Sequence, residues 1–361
     1  MMAKLRTGIV GATGMVGQRL ITLLENHPYF EIAAVAASKN SAGKTYREAV
    51  GNRWKMKTDM PRFLETMIVM DASDIVAMQR HVDFVFCAVD MQKEEVRTLE
   101  EAYAKAEIPV VSNNSAHRWT PDVPMFIPEI NDGHADVIEA QKKRLGTKKG
   151  FIAVKPNCSI QSYVPLIHPL MPFGPKKIAV CTYQAISGAG KTFRDWPEMN
   201  DNVIPFIGGE EEKSEKEPLK VWGKVVNGAI ISATEPMITA QCIRVPVSDG
   251  HLATVFVTFK KKPTKDEIIC AWRNYRGKAQ ELDLPLAPKQ FIHYFEEENR
   301  PQTGMDRDLE GGMAISVGRL RDDSMFDFKF VGLSHNTLRG AAGGAVLSAE
   351  LLYRLGYLYK Q

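Results

Sequence analysis

With 361 residues, 44% of them hydrophobic and 25% charged, the chain is long enough for two globular domains and apolar enough to bury a core in each. A formal net charge of +3, with no basic tract interleaved with aromatics, argues against a nucleic-acid surface, and no apolar run is long enough to span a bilayer. Five scattered cysteines (Cys87, Cys158, Cys181, Cys242 and Cys270) fit neither a disulfide framework nor a zinc knuckle, and with no signal-peptide pattern in M-M-A-K-L-R-T-G-I-V-G they point to a reducing, cytoplasmic setting and to no metal site.

Residues 5–10 predict a short apolar strand, followed by a turn holding Gly11, Gly14 and Gly17 and a helix to about Asn26. Residues 31–37 predict a second buried strand and residues 82–89 a third. A helix from about Lys93 to Lys105 and a strand around Val110 come next. Strands alternating with helices predict a parallel, doubly wound sheet. Beyond about residue 155 the pattern changes. Segments 176–185, 237–247, 252–260, 312–318 and 326–333 predict longer strands, several with alternating polarity and few helices between the later ones. That predicts a mixed or antiparallel sheet in a second, α+β domain. Gly208–Glu217 is a charged stretch, and Thr337 to about Leu358 predicts a long helix rich in Ala and Leu.

The turn Gly11-Ala12-Thr13-Gly14-Met15-Val16-Gly17 lies between a predicted strand and a predicted helix. Glycines there permit a tight turn and let the backbone approach a pyrophosphate, while the helix N-terminus offers N–H groups to it. The spacing departs from G-x-G-x-x-G at Ala12, and the bland alternative is a tight turn without a ligand. Where an NAD-preferring site carries an acid for the ribose, this chain has Ser38, Lys39, Asn40 and Ser41. Hydroxyls and an ammonium suit a 2′-phosphate, so NADP is expected.

Cys158 stands in K-P-N-C-S-I, after a short predicted strand at 151–154 and before the helix-compatible run Ile160–Leu170. Pro156 and Asn157 are helix-start residues, which would place the thiol in a first helical turn with a lowered pKa, beside N–H groups able to hold an oxyanion. Cys87, Cys181, Cys242 and Cys270 fall in strand or helix patterns and read as packing residues. A thiol nucleophile needs a base. His251 is best placed, in a turn after Ser248-Asp249-Gly250 between two predicted strands, with His117, His293 and His335 as competitors. Arg244, seven residues earlier, carries a planar fork that matches a carboxylate, although a surface salt bridge is the commoner use of an arginine.

Seven motifs in order extend this reading: G-A-T-G-M-V-G at 11–17, S-N-N-S-A-H-R at 112–118, P-N-C-S at 156–159, Y-Q-A-I-S-G-A-G at 183–190, G-E-E-E-K at 209–213, R-V-P-V-S-D-G-H at 244–251 and S-H-N-T-L-R-G-A-A-G-G at 334–344. Together they resemble the aspartate-semialdehyde dehydrogenases, in the branch typical of archaea and fungi, over essentially the whole chain. The resemblance implies an α/β protein: a doubly wound Rossmann-type nucleotide domain at 1–156, completed by a C-terminal helix at 334–361, and an α+β catalytic and dimerisation domain with a mixed sheet at 157–333. It implies Cys158 as the nucleophile that becomes a thioester, His251 as acid/base catalyst and Gln184 as the residue orienting the thioester. It implies Arg244 on the substrate carboxylate, Glu210 on its amino group, and Lys213 with Arg118 at the phosphate. Ser187, Gly188 and Asn336 resemble residues at the nicotinamide. The same charges also suit a solvated helix start at Glu210–Lys213, where Glu211 and Glu212 are equally acidic, and Asn336 also suits a helix N-cap. The implied reaction is NADPH-dependent reduction of L-aspartyl 4-phosphate to L-aspartate 4-semialdehyde with release of inorganic phosphate, supplying lysine, threonine and methionine synthesis, in a homodimer or homotetramer. A malonyl-CoA reductase of the same branch, an N-acetyl-glutamyl-phosphate reductase and a non-catalytic nucleotide sensor are the rival readings.

Overall fold

The structure is a computed structural model that describes residues 3–360. Strands β1 (Leu5–Val10), β2 (Phe30–Ala37), β3 (Val69–Asp71), β4 (Phe84–Cys87), β5 (Val110–Ser112) and β6 (Ile152–Val154) form an all-parallel sheet in the order β3-β2-β1-β4-β5-β6. Helices cover both faces, so most of these residues are apolar and buried without alternation. The strand order reverses between β1 and β4, which opens a crevice above their C-terminal ends. The strand expected at 82–89 is only four residues long. Asp83 leaves it to bind Arg6, and Ala88 and Val89 leave it to line the crevice.

The second sheet contains β7 (Pro175–Gln184) and, after a hairpin of β8 (Lys224–Val226) and β9 (Ala229–Ile231), β10 (Met237–Arg244), β11 (His251–Phe259), β12 (Ile292–Phe295), β13 (Ile315–Asp322) and β14 (Phe328–Ser334). Its order is β10-β7-β11-β14-β13-β12. The outer pairs β10/β7 and β12/β13 are parallel and the central pairs antiparallel, so the sheet is mixed. Along β11 buried and half-buried residues alternate strictly, because only one face packs on the core. Trp272, from the helix Lys265–Asn274, is fully buried against Tyr294 and Phe330.

Three further expected elements differ. The helix expected over Ile160–Leu170 is broken into a 3₁₀ turn Ser159–Ser162, one α-turn Val164–Ile167 and a 3₁₀ segment His168–Phe173. Pro165, Pro169 and Pro172 remove the amide donors that a continuous helix would need. The strand expected at 312–318 begins only at Ile315, because Glu310, Gly311 and Gly312 all have positive φ and turn the chain first. The C-terminal helix is a π turn Leu338–Ala342 followed by an α-helix Gly343–Arg354. It ends short of Leu358 at Gly356, whose φ is 83°. Its Val346, Leu347, Leu351 and Leu352 share one core with Leu20, Ile21, Phe84 and Val111 of the first sheet's layers. Buried Glu350 binds His27 at 2.8 Å and the Leu286 amide, fastening the last helix to both parts of the chain. Among the described residues no helix is long and apolar enough to cross a membrane.

Candidate active site

The two sheets meet around a cavity of about 310 Å³ lined by residues from both, among them Met15, Val16, Asn113, Arg118, Lys155, Asn157, Cys158, Gln184, Ser187, Gly188, Glu210, Arg244, Asn336 and Gly340. Cys158 follows β6 and precedes the Ser159–Ser162 turn. The C-terminal segment lies directly against it: a Cβ built on Gly340 would come within 2.7 Å of the Cys158 Cβ.

The structure corrects the expected cause of thiol activation. Cys158 caps a four-residue 3₁₀ turn rather than opening a helix, so little dipole acts on it. The Ser159 N–H is already taken by the Asn157 side chain at 2.7 Å and is not free for an oxyanion. Burial pushes the Cys158 thiol above its ordinary pKa and Glu210 adds to this, while Lys155, Arg118 and Arg244 pull it back.

His251, the first residue of β11, is fully buried, and its Nε2 lies 3.5 Å from the Cys158 Sγ. Its Nδ1 accepts the Ala185 N–H at 3.0 Å, so the proton of the neutral ring sits on Nε2, facing the thiol. Burial first, then the charges of Arg244 and His335, push the ring's pKa down to about 3, against a small opposing pull from the Gly250 carbonyl. The ring is therefore neutral and presents its Nε2 edge to the Cys158 thiol. Of its competitors, His117 lies 3.2 Å from the Thr120 hydroxyl, and His335 accepts the Thr337 and Leu338 amides. His335, not Asn336, thus accepts the first amides of the turn that follows.

The helix Glu210–Val221 brings the acids to the cavity. Glu210, Ser214 and Glu217 share its buried face at i, i+4, i+7 spacing. Glu211 instead accepts the Cys242 amide and Glu212 pairs with solvent-exposed Lys216, so among the three adjacent acids only Glu210 lines the site. Glu210 accepts from the Asn157 side-chain amide at 2.9 and 3.0 Å, from Lys213 at 2.8 Å and from Gln184 at 3.4 Å. Lys213 reaches the site through this pair and is not itself on the cavity wall. Glu217 binds Arg118 at 2.8 Å and the Asn157 N–H at 2.5 Å. Arg244, last residue of β10, anchors one guanidinium nitrogen on the Ala185 carbonyl at 2.7 Å and keeps its other donors. Both side-chain amide atoms of Asn113 and the Arg118 Nε are buried without a hydrogen-bond partner among the described residues, the condition of donors and acceptors awaiting a polar substrate.

The sequence reading did not single out Asn157, Glu217, Lys155 or Asn113 as site residues. The signal for Glu217 was present, two helical turns beyond Glu210. Asn157 was read only as a helix start, although its side chain joins Glu210 to the Cys158 turn.

A second cavity, about 620 Å³, runs along the crevice past Gly11, Thr13, Gly14, Ser38, Lys39, Asn40, Arg53, Asp71 and Val89. Gly11 has a φ of 90°, and a Cβ there would strike the Ala88 carbonyl at 2.3 Å. Met15 and Val16 line the catalytic cavity instead, so the glycine turn borders both spaces. Ser187 and Asn336 stand on the far side, joined at 2.8 Å, with Asn336 also accepting the Gly250 amide at 2.8 Å. Ser41 is not on the cleft wall; its N–H closes a turn on the Ser38 carbonyl. Arg53, absent from the sequence-based site, is a second cation on the same cleft wall as Lys39. Asp71 accepts the Ser73 N–H and hydroxyl at 2.8 and 2.7 Å, which leaves its carboxylate tied to its own turn. A dinucleotide with a 2′-phosphate fits this wall: a helix N-terminus for the pyrophosphate and Ser38, Lys39 and Arg53 for the extra charge.

Comparison with known proteins agrees with this geometry. The family model described as "Semialdehyde dehydrogenase, NAD binding domain" matches residues 6–138, and that described as "Semialdehyde dehydrogenase, dimerisation domain" matches residues 167–339. An aspartate-semialdehyde dehydrogenase of Aspergillus fumigatus is 41% identical over 98% of this chain and 99% of its own length. One of Archaeoglobus fulgidus is 42% identical over 96% of this chain and 97% of its own. The crystal structure of the Candida albicans aspartate semialdehyde dehydrogenase with NADP superposes with a TM-score of 0.88 at 38% identity, covering 98% of this chain and 100% of that one. The chain belongs to the aspartate-semialdehyde dehydrogenase family, in the branch that includes archaeal and fungal members.

Proposed function

We propose that the chain catalyses the NADPH-dependent reduction of L-aspartyl 4-phosphate to L-aspartate 4-semialdehyde, with release of inorganic phosphate, through a thioester on Cys158. The observation that carries this is the convergence on one cavity of a thiol, a neutral imidazole 3.5 Å from it, the cations Arg118 and Arg244, and Glu210, with Lys213 paired to Glu210 from outside the wall. An amino-acid acyl phosphate presents a complementary set: a carboxylate for the Arg244 fork, an ammonium for Glu210 and a phosphoryl group for Arg118 and Lys213.

In this reading Cys158 Sγ attacks the acyl carbon, the C–O bond to phosphate breaks, and the leaving phosphate is held by Arg118 and Lys213. NADPH bound along the glycine turn, Ser38, Lys39 and Arg53, with Ser187, Gly188 and Asn336 at its nicotinamide end, supplies the hydride that reduces the thioester. The His251 Nε2–H stabilises the oxygen of the tetrahedral hemithioacetal on Cys158. That oxyanion collapses, the C–S bond breaks, and thiolate and aldehyde are released. Gln184, bonded to Thr182 and Glu210, is placed to orient the acyl oxygen. The product feeds lysine, threonine and methionine synthesis.

We take residues 1–156 with 334–361 as the cofactor-binding unit and 157–333 as the catalytic and oligomerisation unit. Self-association as a homodimer or homotetramer is supported by the dimerisation description of the matched family model and by the outer face of β7, β10 and β11, where half-buried Ala179, Cys181 and Phe256 and exposed Thr239 and Gln241 line an open hollow. A cytoplasmic setting keeps Cys158 reduced.

The decisive assay follows NADPH absorbance with purified protein and three acyl donors: aspartyl phosphate, malonyl-CoA and N-acetyl-glutamyl phosphate. Aspartyl phosphate should be strongly preferred, and Cys158→Ala should abolish turnover with it. Preference for malonyl-CoA would overturn the substrate, and turnover by Cys158→Ala would overturn the nucleophile.

A further inference from the structure

We propose that Glu217 is a positioning residue for phosphate: one oxygen of its carboxylate holds the Arg118 guanidinium and the other holds the turn that carries Cys158. A single group thereby registers the phosphate cation against the nucleophile. This rests on the reading of Cys158 as the nucleophile and of Arg118 as a phosphate ligand.

The topology creates the need for such a group. Arg118 stands in the loop after β5 of the first sheet, whereas Lys213 stands on the helix Glu210–Val221, which packs against β10 of the second. Cys158 lies between them, after β6. A phosphate held by both cations must meet an acyl carbon fixed on Cys158. A long arginine side chain keeps that geometry only if its own freedom is removed.

Glu217 removes it. Its Oε1 accepts from Arg118 Nη1 at 2.8 Å and its Oε2 accepts the Asn157 N–H at 2.5 Å. Arg118 spends a second N–H on the Asn113 carbonyl at 3.3 Å, and its Nε has no partner among the described residues, so part of the fork is left for an anion. Asn157 is fixed from its other end as well. Its side chain accepts the Ser159 N–H at 2.7 Å and donates to Glu210 at 2.9 and 3.0 Å. Glu217 is 1% exposed, so water does not replace either bond. It is not on the cavity wall, whereas Arg118 and Asn157 are, so it acts through them.

One turn further along the same helix, Lys220 grips the Arg118 loop by its backbone. Its buried Nζ donates to the carbonyls of Arg118, Thr120 and Val123 at 2.6, 2.9 and 3.1 Å. Three bonds exhaust an ammonium's donors, so Lys220 is a clasp and not a ligand for substrate. The helix that carries Glu210 and Lys213 therefore holds Arg118 by main chain and side chain together. In Glu217→Gln the side chain keeps its shape but offers one acceptor oxygen to two donors. The Asn157 N–H belongs to a fixed turn, so the arginine gives way.

The test is steady-state kinetics of the full-length protein in the oxidative direction, with L-aspartate 4-semialdehyde, NADP and inorganic phosphate. Glu217→Gln should raise the KM for phosphate about tenfold, the loss of one charge-assisted hydrogen bond. The KM for semialdehyde should stay within about twofold of wild type. In an Arg118→Ala background the same substitution should raise the phosphate KM no further, because the group it positions is gone. A wild-type phosphate KM in folded Glu217→Gln overturns the proposal. So does an equal rise in both KM values, the mark of a general disturbance, or an effect that multiplies with that of Arg118→Ala. If Glu217→Gln does not fold, Glu217→Asp, whose carboxylate is too short to keep both donors, decides by the same ratio of KM values. A wild-type phosphate KM in Arg118→Ala overturns the phosphate site itself, and the role of Glu217 with it. Absence of semialdehyde oxidation by the wild type overturns the proposed reaction, a failure separate from that of Glu217.

Discussion

Gly188 shows how tightly single residues are fixed around the nucleophile. A Cβ built there would lie 2.8 Å from an Arg244 guanidinium nitrogen and 3.1 Å from both the Cε1 and Nε2 of His251. Any side chain must therefore displace the Arg244 guanidinium, the imidazole or both. Gly188→Ala should lower kcat/KM by roughly a hundredfold, the loss expected when catalytic groups move by about an ångström. Its melting temperature should stay close to that of the wild type, because the insult falls on the cavity wall; steady-state kinetics beside a thermal melt check this. Cys158, His251 and Arg244 were legible as candidates from their own local sequence. The direction of the thiol's perturbation was not, because it is set by burial and by Glu210, Lys155 and Arg118, which come from distant stretches of chain.

The helix Glu210–Val221 carries opposite consequences on its two faces. Glu217 is buried and binds both Arg118 and the amide beside the nucleophile. Glu217→Ala strands a buried guanidinium and should cost about 3–5 kcal/mol of stability, read from denaturant unfolding. Glu212 pairs with Lys216 in solvent, and Glu212→Ala should leave the same midpoint unchanged. The sequence marked Gly208–Glu217 only as charged. The spacing of Glu210, Ser214 and Glu217 would have picked out the buried face, but a helix with so few apolar residues gives periodicity little to work with. Where prolines interrupt the pattern, as in Ile160–Leu170, apolar content misled in the other direction.

Across the whole molecule the connection between the sheets is acid-sensitive at His168. This histidine packs edge-on against Tyr275 with its Nδ1 buried and without a partner among the described residues, and burial pushes its pKa from 6.5 down to about 4. Between those values the unfolded chain binds a proton that the folded chain does not. Its contribution to stability therefore falls as pH drops through 6.5 and is fully lost only below about 4. His168→Leu removes that loss, so the stability of the variant relative to wild type should grow on going from neutral pH to pH about 4, by up to about 3 kcal/mol. Thermal or urea unfolding at both pH values checks it; a constant difference between the two proteins would refute it.

The sequence by itself determined the parallel nucleotide-binding sheet, the mixed sheet and the glycine turn, and it marked Cys158 as the candidate nucleophile. These rest on local periodicity, on turn chemistry and on motifs whose order along the chain is itself informative. Only the tertiary structure decided which of three adjacent acids faces the cavity, which nitrogen of His251 accepts the Ala185 amide, that Arg53 lines the same cleft as Lys39, and that Lys155 is buried on the wall of the cavity that holds Cys158. Those are matters of distance and desolvation between groups far apart in the chain, and a linear pattern holds no record of how strongly burial will weigh on a charge.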